Sequence, residues 1–148
     1  MRDLISNLQV KRGISPVTQT NSDTALVSQI IDRQGYDGVA FLIATGTLSD
    51  ADATFTVLLE EGDNSGLSDN TAVADADMIS QTLGTAPETA ASFTFTHDDQ
   101  VRKIGYIGNK RYVRLTITPS GNNSGSAPLC AIALLGRPAL RPVVQATA

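Results

Sequence analysis

With 148 residues, a formal net charge of −4 and 41% hydrophobic against 18% charged residues, the chain has the size and composition of one globular domain. An acidic whole argues against general nucleic-acid binding, and no run approaching about 18 apolar residues exists to cross a membrane as a helix. The lone Cys130 excludes an intrachain disulfide and reads as a small buried hydrophobe, which suits the cell interior or an assembly made there.

The opening MRDLISNLQVKRG has no long apolar core and carries Asp3, which speaks against a signal peptide. Residues 1–23 read as an arm, with Leu4, Ile5, Leu8 and Val10 as scattered apolar anchors before the breaker-rich KRGISPVTQTNSD. TALVSQIID (24–32) reads as a strand and Gln34 to Gly38 as a turn. VAFLIAT (39–45) is a continuous apolar run of strand length, which predicts a central, buried strand. TFTVLLE (54–60) alternates with Phe55, Val57 and Leu59 inward, and a long polar loop follows. Residues 72–83 fit either a helical turn or an irregular strand, TAPETAA reads as a loop, and SFTFT (92–96) as a short strand.

The stretch Val101 to Thr118, VRKIGYIGNKRYVRLTIT, has the pattern of a β-hairpin. Two β-prone runs flank Gly108-Asn109, a dipeptide suited to the positive φ of a tight turn. A second wholly apolar strand is expected over Leu129 to Leu135. The last residues, RPALRPVVQATA, hold Pro138 and Pro142 and read as an extended tail over 138–148. About eight strands at regular spacing, with no long helix, predict an all-β single domain over 24–137. The expected form is an antiparallel β-sandwich of jelly-roll or Greek-key type with extended N- and C-terminal arms.

Charge is divided along the chain. Residues 1–100 hold all fifteen acids, whereas residues 101–148 hold seven bases and no acid. Arg102, Lys103, Lys110, Arg111 and Arg114 crowd one segment. They are candidates for contact with acidic loops such as 60–77 of a neighbouring subunit, against the simpler reading of a solvated strand face. The apolar residues Leu4, Ile5 and Leu8 at one end and Leu140, Val143 and Val144 at the other are candidate partner contacts. Buried between subunits, each could contribute roughly 1.5–3 kcal/mol before ordering costs.

No catalytic, cofactor-binding or metal-binding constellation emerges. His97 is the sole histidine, and the neighbouring HDDQ reads as a polar corner. No nucleophile elbow or phosphate-cradling glycine motif is present. EEGDNSGLSDN lacks the spacing of an EF-hand loop, and a chain without Trp lacks the usual platform for stacking sugars. The reading is a non-enzymatic structural or interaction protein with no cofactor.

Three segments carry a resemblance: IIDRQGYDGVAFLIATGTLSDADATFTVLLEEGDNS, TAVADADM and RKIGYIGNKRYVRLTITPSGN. They resemble small proteins encoded among the head genes of tailed bacteriophages and prophages, of the capsid decoration, or cement, type. The resemblance spans roughly residues 24–137 and transfers no functional residue. It implies a protein of the virion surface, assembled in the bacterial cytoplasm. The implied partner is the major capsid protein, and the implied state is a homo-oligomer, with a trimer favoured. Neither nucleic acid nor membrane is implied as a partner. A head-tail connector or tail component, or a glycan-binding surface module, are the alternatives.

Overall fold

A computed structural model describes residues 3–143. Eleven strands form among them: β1 (Leu8–Thr20), β2 (Leu26–Val27), β3 (Ile31–Asp32), β4 (Tyr36–Thr45), β5 (Thr54–Gly62), β6 (Thr71–Ala72), β7 (Met78–Ile79), β8 (Phe93–Thr94), β9 (Val101–Tyr106), β10 (Tyr112–Ser120) and β11 (Ser126–Pro138). A one-turn helix, α1 (Pro87–Ala91), and short 3₁₀ turns at Ile5–Asn7 and Asp75–Asp77 complete the elements.

The strands pack as an antiparallel sandwich. Sheet A runs β1-β11-β4-β9-β7, and sheet B runs β2-β10-β5-β6, with β3 also on β10 and β8 also on β5. Setting aside the short β6 and β7, the orders 1-11-4-9 and 2/3-10-5-8 are those of an eight-stranded jelly roll. Between the sheets lies one core. Phe41 and Ile43 of β4, Ile104 of β9, Leu135 of β11, Leu59 of β5 and Leu115 of β10 are essentially inaccessible. Phe55 and Phe93 stack with ring centroids 4.7 Å apart.

In this topology long consecutive strands lie in opposite sheets, which corrects the expected hairpin. Both of its strands form, but β9 pairs with β4 and β7, while β10 pairs with β5, β2 and β3. The connection 107–111 therefore bridges the sandwich, and neither Gly108 nor Asn109 has a positive φ. Gly108 is needed for a different reason. A Cβ there would lie 2.6 Å from the Tyr106 hydroxyl oxygen and 2.7 Å from its ring. Tyr106, from sheet A, donates its hydroxyl hydrogen to Glu61 of β5 in sheet B and accepts the Lys110 N–H at 2.9 Å. Arg33 lies 5.4 Å from the centre of the same ring and donates to the carbonyls of Gly108 (2.7 Å) and Lys110 (2.6 Å). Burial first, then the Glu61 carboxylate, pushes the Tyr106 pKa up, so the phenol remains a donor.

Other departures from expectation follow from unpaired backbone. The strand expected over 24–32 is split into β2 and β3. Between them Ser28 N–H donates to Leu115 O at 2.8 Å while Gln29 N–H donates to Gly13 O at 3.0 Å. One bond goes to each sheet, which closes that edge of the sandwich. On the far edge, β5 meets β6 and β8 only at its ends. In the gap the N–H of Val57 donates to Ser92 Oγ and that of Leu59 to Glu88 Oε1. That is why TAPETAA, expected as a loop, winds into α1.

Most of the stretch expected as an N-terminal arm is β1, paired with β11 from Leu8↔Gly136 to Thr20↔Ser126. The polar, breaker-rich residues suit an edge strand, and the pairing is interrupted by irregularities between Arg12 and Val17. The beginning of the expected tail is likewise held: Pro138 pairs with Tyr36, and Ala139 N–H donates to Gly35 O at 2.9 Å.

At the opposite end of β11, two carboxylates organise the loop 121–124. Asp23 accepts from the N–H groups of Gly121 and Asn122, and Asp50 accepts from those of Asn123 and Ser124. These bonds favour the charged form and hold the Asp50 carboxyl below its ordinary pKa; Asp32 and Asp69 are also lowered.

Two outcomes are expected. Tyr106→Phe leaves Glu61 and the Lys110 N–H without their partner and should cost about 1–3 kcal/mol in denaturant unfolding. The stabilisation contributed by Asp32, Asp50 and Asp69 is present above the ordinary carboxylate pKa of about 4 and is lost as pH falls through their lower folded values. Asp50→Asn should therefore be less stable than the parent at neutral pH, with the difference narrowing in acid, as measured by thermal unfolding across pH.

Candidate functional surface

The two faces of the sandwich differ in chemistry. The outward side of sheet B is mostly polar: Thr54, Thr56 and Glu60 of β5 stand opposite Ser120, Thr118 and Arg114 of β10, with Leu58 and the exposed Val27 on either side of Thr116 as apolar exceptions. The Arg114 and Glu60 pair, 2.8 Å apart and mostly buried, is an ion pair of directly opposed residues. Arg111 makes two bonds to Asp32, at 3.0 and 2.8 Å, and Lys110 reaches Asp63 at 2.6 Å.

Sheet A shows the reverse pattern. Its inward residues on β4 and β11 are apolar, but so are its outward ones. The strand register arranges the outward residues in rows across the sheet. One row reads Val10, Leu134, Ala40, Gly105, Ile79. The next reads Arg12, Ile132, Leu42, Lys103, and beyond it stand Cys130, Ala44 and Val101. None of these residues is acidic and none is aromatic. Val10, Ile79, Val101 and Ile132 are 43, 53, 69 and 40% exposed, and Ile107 beside them is 52% exposed.

The face is shallowly sculpted. Gly105 and Ala40 leave a depression bounded by Leu8, Ile79, Leu134 and Arg137. Irregular pairing of β1 opens a second, lined by Val10, Arg12, Pro16, Cys130 and Ile132. An antiparallel sheet with one face on the core normally turns polar side chains outward. A continuous apolar face is the mark of an interaction surface.

The terminal candidates meet at one end of this face. Val143 N–H donates to Ser6 O at 2.9 Å, which brings the C-terminal segment beside Leu4 and Ile5. Leu4, Ile5 and Leu140 are exposed, and Leu8 continues them onto the sheet by pairing with Gly136. Val144 lies outside the described residues. The basic candidates separate into two groups. Lys110, Arg111 and Arg114 are engaged by carboxylates of their own chain, and Arg102 donates to the carbonyls of Ala90 and Ala91. Among the described residues, the Lys103 side chain has no such partner and stands on the sheet A face.

Sequence reading missed most of this surface. VAFLIAT is expected as a central, buried strand and Leu129 to Leu135 as a second, wholly apolar one, whereas in each strand the described chain buries alternate residues only. The available signal was the presence of apolar residues at both parities of two strands in an antiparallel fold. Arg12 and Arg137 also escaped: Arg12 stands with Lys11 in a run expected as a polar arm, and Arg137 has no basic neighbour in sequence. No three-member group of His, Cys, Asp and Glu suited to a metal occurs among the described residues.

No protein-family model matches the chain, and no curated protein resembles it. Among solved structures it is similar to the PBSX exported protein XepA, with a TM-score of 0.54 and 13% identity over 94% of this chain and 40% of that one. It is also similar to the xylan-binding module CBM15, with a TM-score of 0.39 and 11% identity over 92% of this chain and 94% of that one. The chain thus spans two fifths of the length of XepA, and the likeness to it is one of fold.

The ion pairs of sheet B differ in what they contribute. Arg114→Met should cost about 1 kcal/mol, because the Glu60 carboxylate it pairs is mostly buried. Lys110→Met, at an exposed pair, should leave the unfolding midpoint unchanged; equilibrium unfolding of the two variants checks both.

Proposed function

We propose that the chain is a non-enzymatic structural subunit of a tailed-phage particle that binds and stabilises the outer capsid shell. The observation that carries this reading is the uncovered apolar face of sheet A, with the terminal apolar residues at its edge. A stiff core supports that face. The sequence resemblance to head-associated decoration proteins supports the reading, and a fold shared with an exported protein of the phage PBSX is consistent with it.

In this reading the major capsid protein is the partner. Leu4, Ile5, Leu8, Leu140, Val143 and Val144 extend the contact beyond the sheet, and the subunits associate as homo-oligomers, with a trimer favoured. Each half-exposed Val, Ile or Leu covered on docking would contribute about 1 kcal/mol. Repetition over a lattice of sites multiplies modest contacts into a shell-wide effect. Lys110, Arg111 and Arg114 could add neighbour contacts only by sharing or exchanging the carboxylates they already hold.

The test is to add the purified chain to heads of its own phage that lack it, then image the particles and heat them. The expected result is occupancy over the whole shell surface and heads that open at a higher temperature. A single ring at one vertex would instead indicate a connector, and no binding would overturn the virion reading.

A further inference from the structure

The sheet A face carries bases and no acid, although the protein as a whole is acidic. Arg12 and Lys103 stand at the two ends of one row, separated by Ile132 and Leu42. Arg137 borders the depression on the same face. Within the described chain, Arg12 meets only the neutral carboxamide of Gln29, and neither Lys103 nor Arg137 has a side-chain ion pair or hydrogen bond. The other side of the molecule behaves differently, since Lys110, Arg111 and Arg114 each face a carboxylate. Of the remaining bases, Arg12, Lys103 and Arg137 stand on or beside the apolar face.

We infer that this face docks onto an apolar protein surface flanked by carboxylates, which meet Arg12 on one side and Lys103 on the other. The inference rests on the virion reading and specifies the chemistry of the shell surface. Three strand intervals at about 4.8 Å place the two bases about 14 Å apart, and this sets the spacing of the acids sought. The face spans four such intervals and about eight residues along β11, a footprint of about 500 Å² in projection. That is the scale of the roughly 800 Å² of accessible surface each partner contributes to a standard interface.

Charge rules against a second copy as the occupant. When the paired rows of two such faces meet, bases are set against bases or against apolar residues, and the rows supply no acid. An anionic lipid surface would satisfy the bases. However, a flat face with Gly105 and Ala40 at its middle presents no protruding wedge to enter a headgroup layer.

Two double variants test the inference: Arg12→Glu with Lys103→Glu, and Arg12→Gln with Lys103→Gln. Both alter exposed side chains, and unchanged thermal midpoints confirm that each folds. The probe is heads of its own phage that lack the chain, titrated at low and high salt. The reversed variant should bind about a hundredfold more weakly at low salt, with the neutral one intermediate. The deficit should shrink as salt screens the repulsion. Reversed-variant binding equal to the parent's would overturn the inference and leave the virion reading standing. Failure of the parent chain to bind heads would overturn both. Sedimentation and flotation with phosphatidylserine-containing vesicles complete the test. Self-association or vesicle binding that the Arg12 and Lys103 variants abolish would assign the face to a second copy or to lipid and overturn the inference.

Discussion

The structure depends on two strands, β4 and β11, that are apolar on both sides while only one of their sides meets the other sheet. They are neighbours near the middle of sheet A, paired from Leu129↔Thr45 to Pro138↔Tyr36. Their inward residues, including Phe41, Ile43, Ala131 and Leu135, join the core. Their outward residues are equally unsuited to water, yet no layer of the described residues covers them. The hydrophobic term that folds the domain is therefore left partly unused on one surface. A fold with this property is suited to association.

The jelly-roll path determines what surrounds that surface. Because the chain alternates between sheets, β1 and β11 become neighbours although they stand at opposite ends of the sequence. Their pairing brings Leu8 and Gly136 together, and with them the residues on either side. Short hydrophobic segments too small to form a core of their own thus extend a face that already exists. The same path carries the basic stretch 110–114 of the second half past Asp32, Glu60 and Asp63 of the first. Three of the seven bases after residue 100 thus pair with acids of the first hundred inside one subunit.

Strands were the legible part of the sequence, since VAFLIAT, TFTVLLE, VRKIGY and YVRLTIT all lie in strands at or close to the expected limits. Their partners were not. Gly108 between two β-prone runs suggests a tight turn, but that pattern does not specify whether the runs share a sheet. Here Tyr106 decides the conformation of the loop: it reaches across to Glu61, and the chain must wrap over its ring, so Gly108 serves close approach. Similarly, the breaker-rich run around Gly13 and Pro16 looks like a free arm. It is ordered by nonlocal pairing to β11, which local propensity does not encode. The apolar face was half visible, because a continuous apolar run marks a strand with two dry sides. What covers each side depends on layers that periodicity cannot count.

An exposed apolar sheet face invites indiscriminate association, and the residues on this one temper that tendency. Ala40, Ala44 and Gly105 keep its middle shallow, so no single protruding side chain can anchor an arbitrary partner. Arg12 and Lys103 interrupt the apolar rows at opposite margins, and their like charge opposes the stacking of two copies. The same charges would attract a surface with acids at matching positions. Apolar area thus supplies the general attraction, while Arg12 and Lys103, which face no carboxylate among the described residues, restrict which surface can use it.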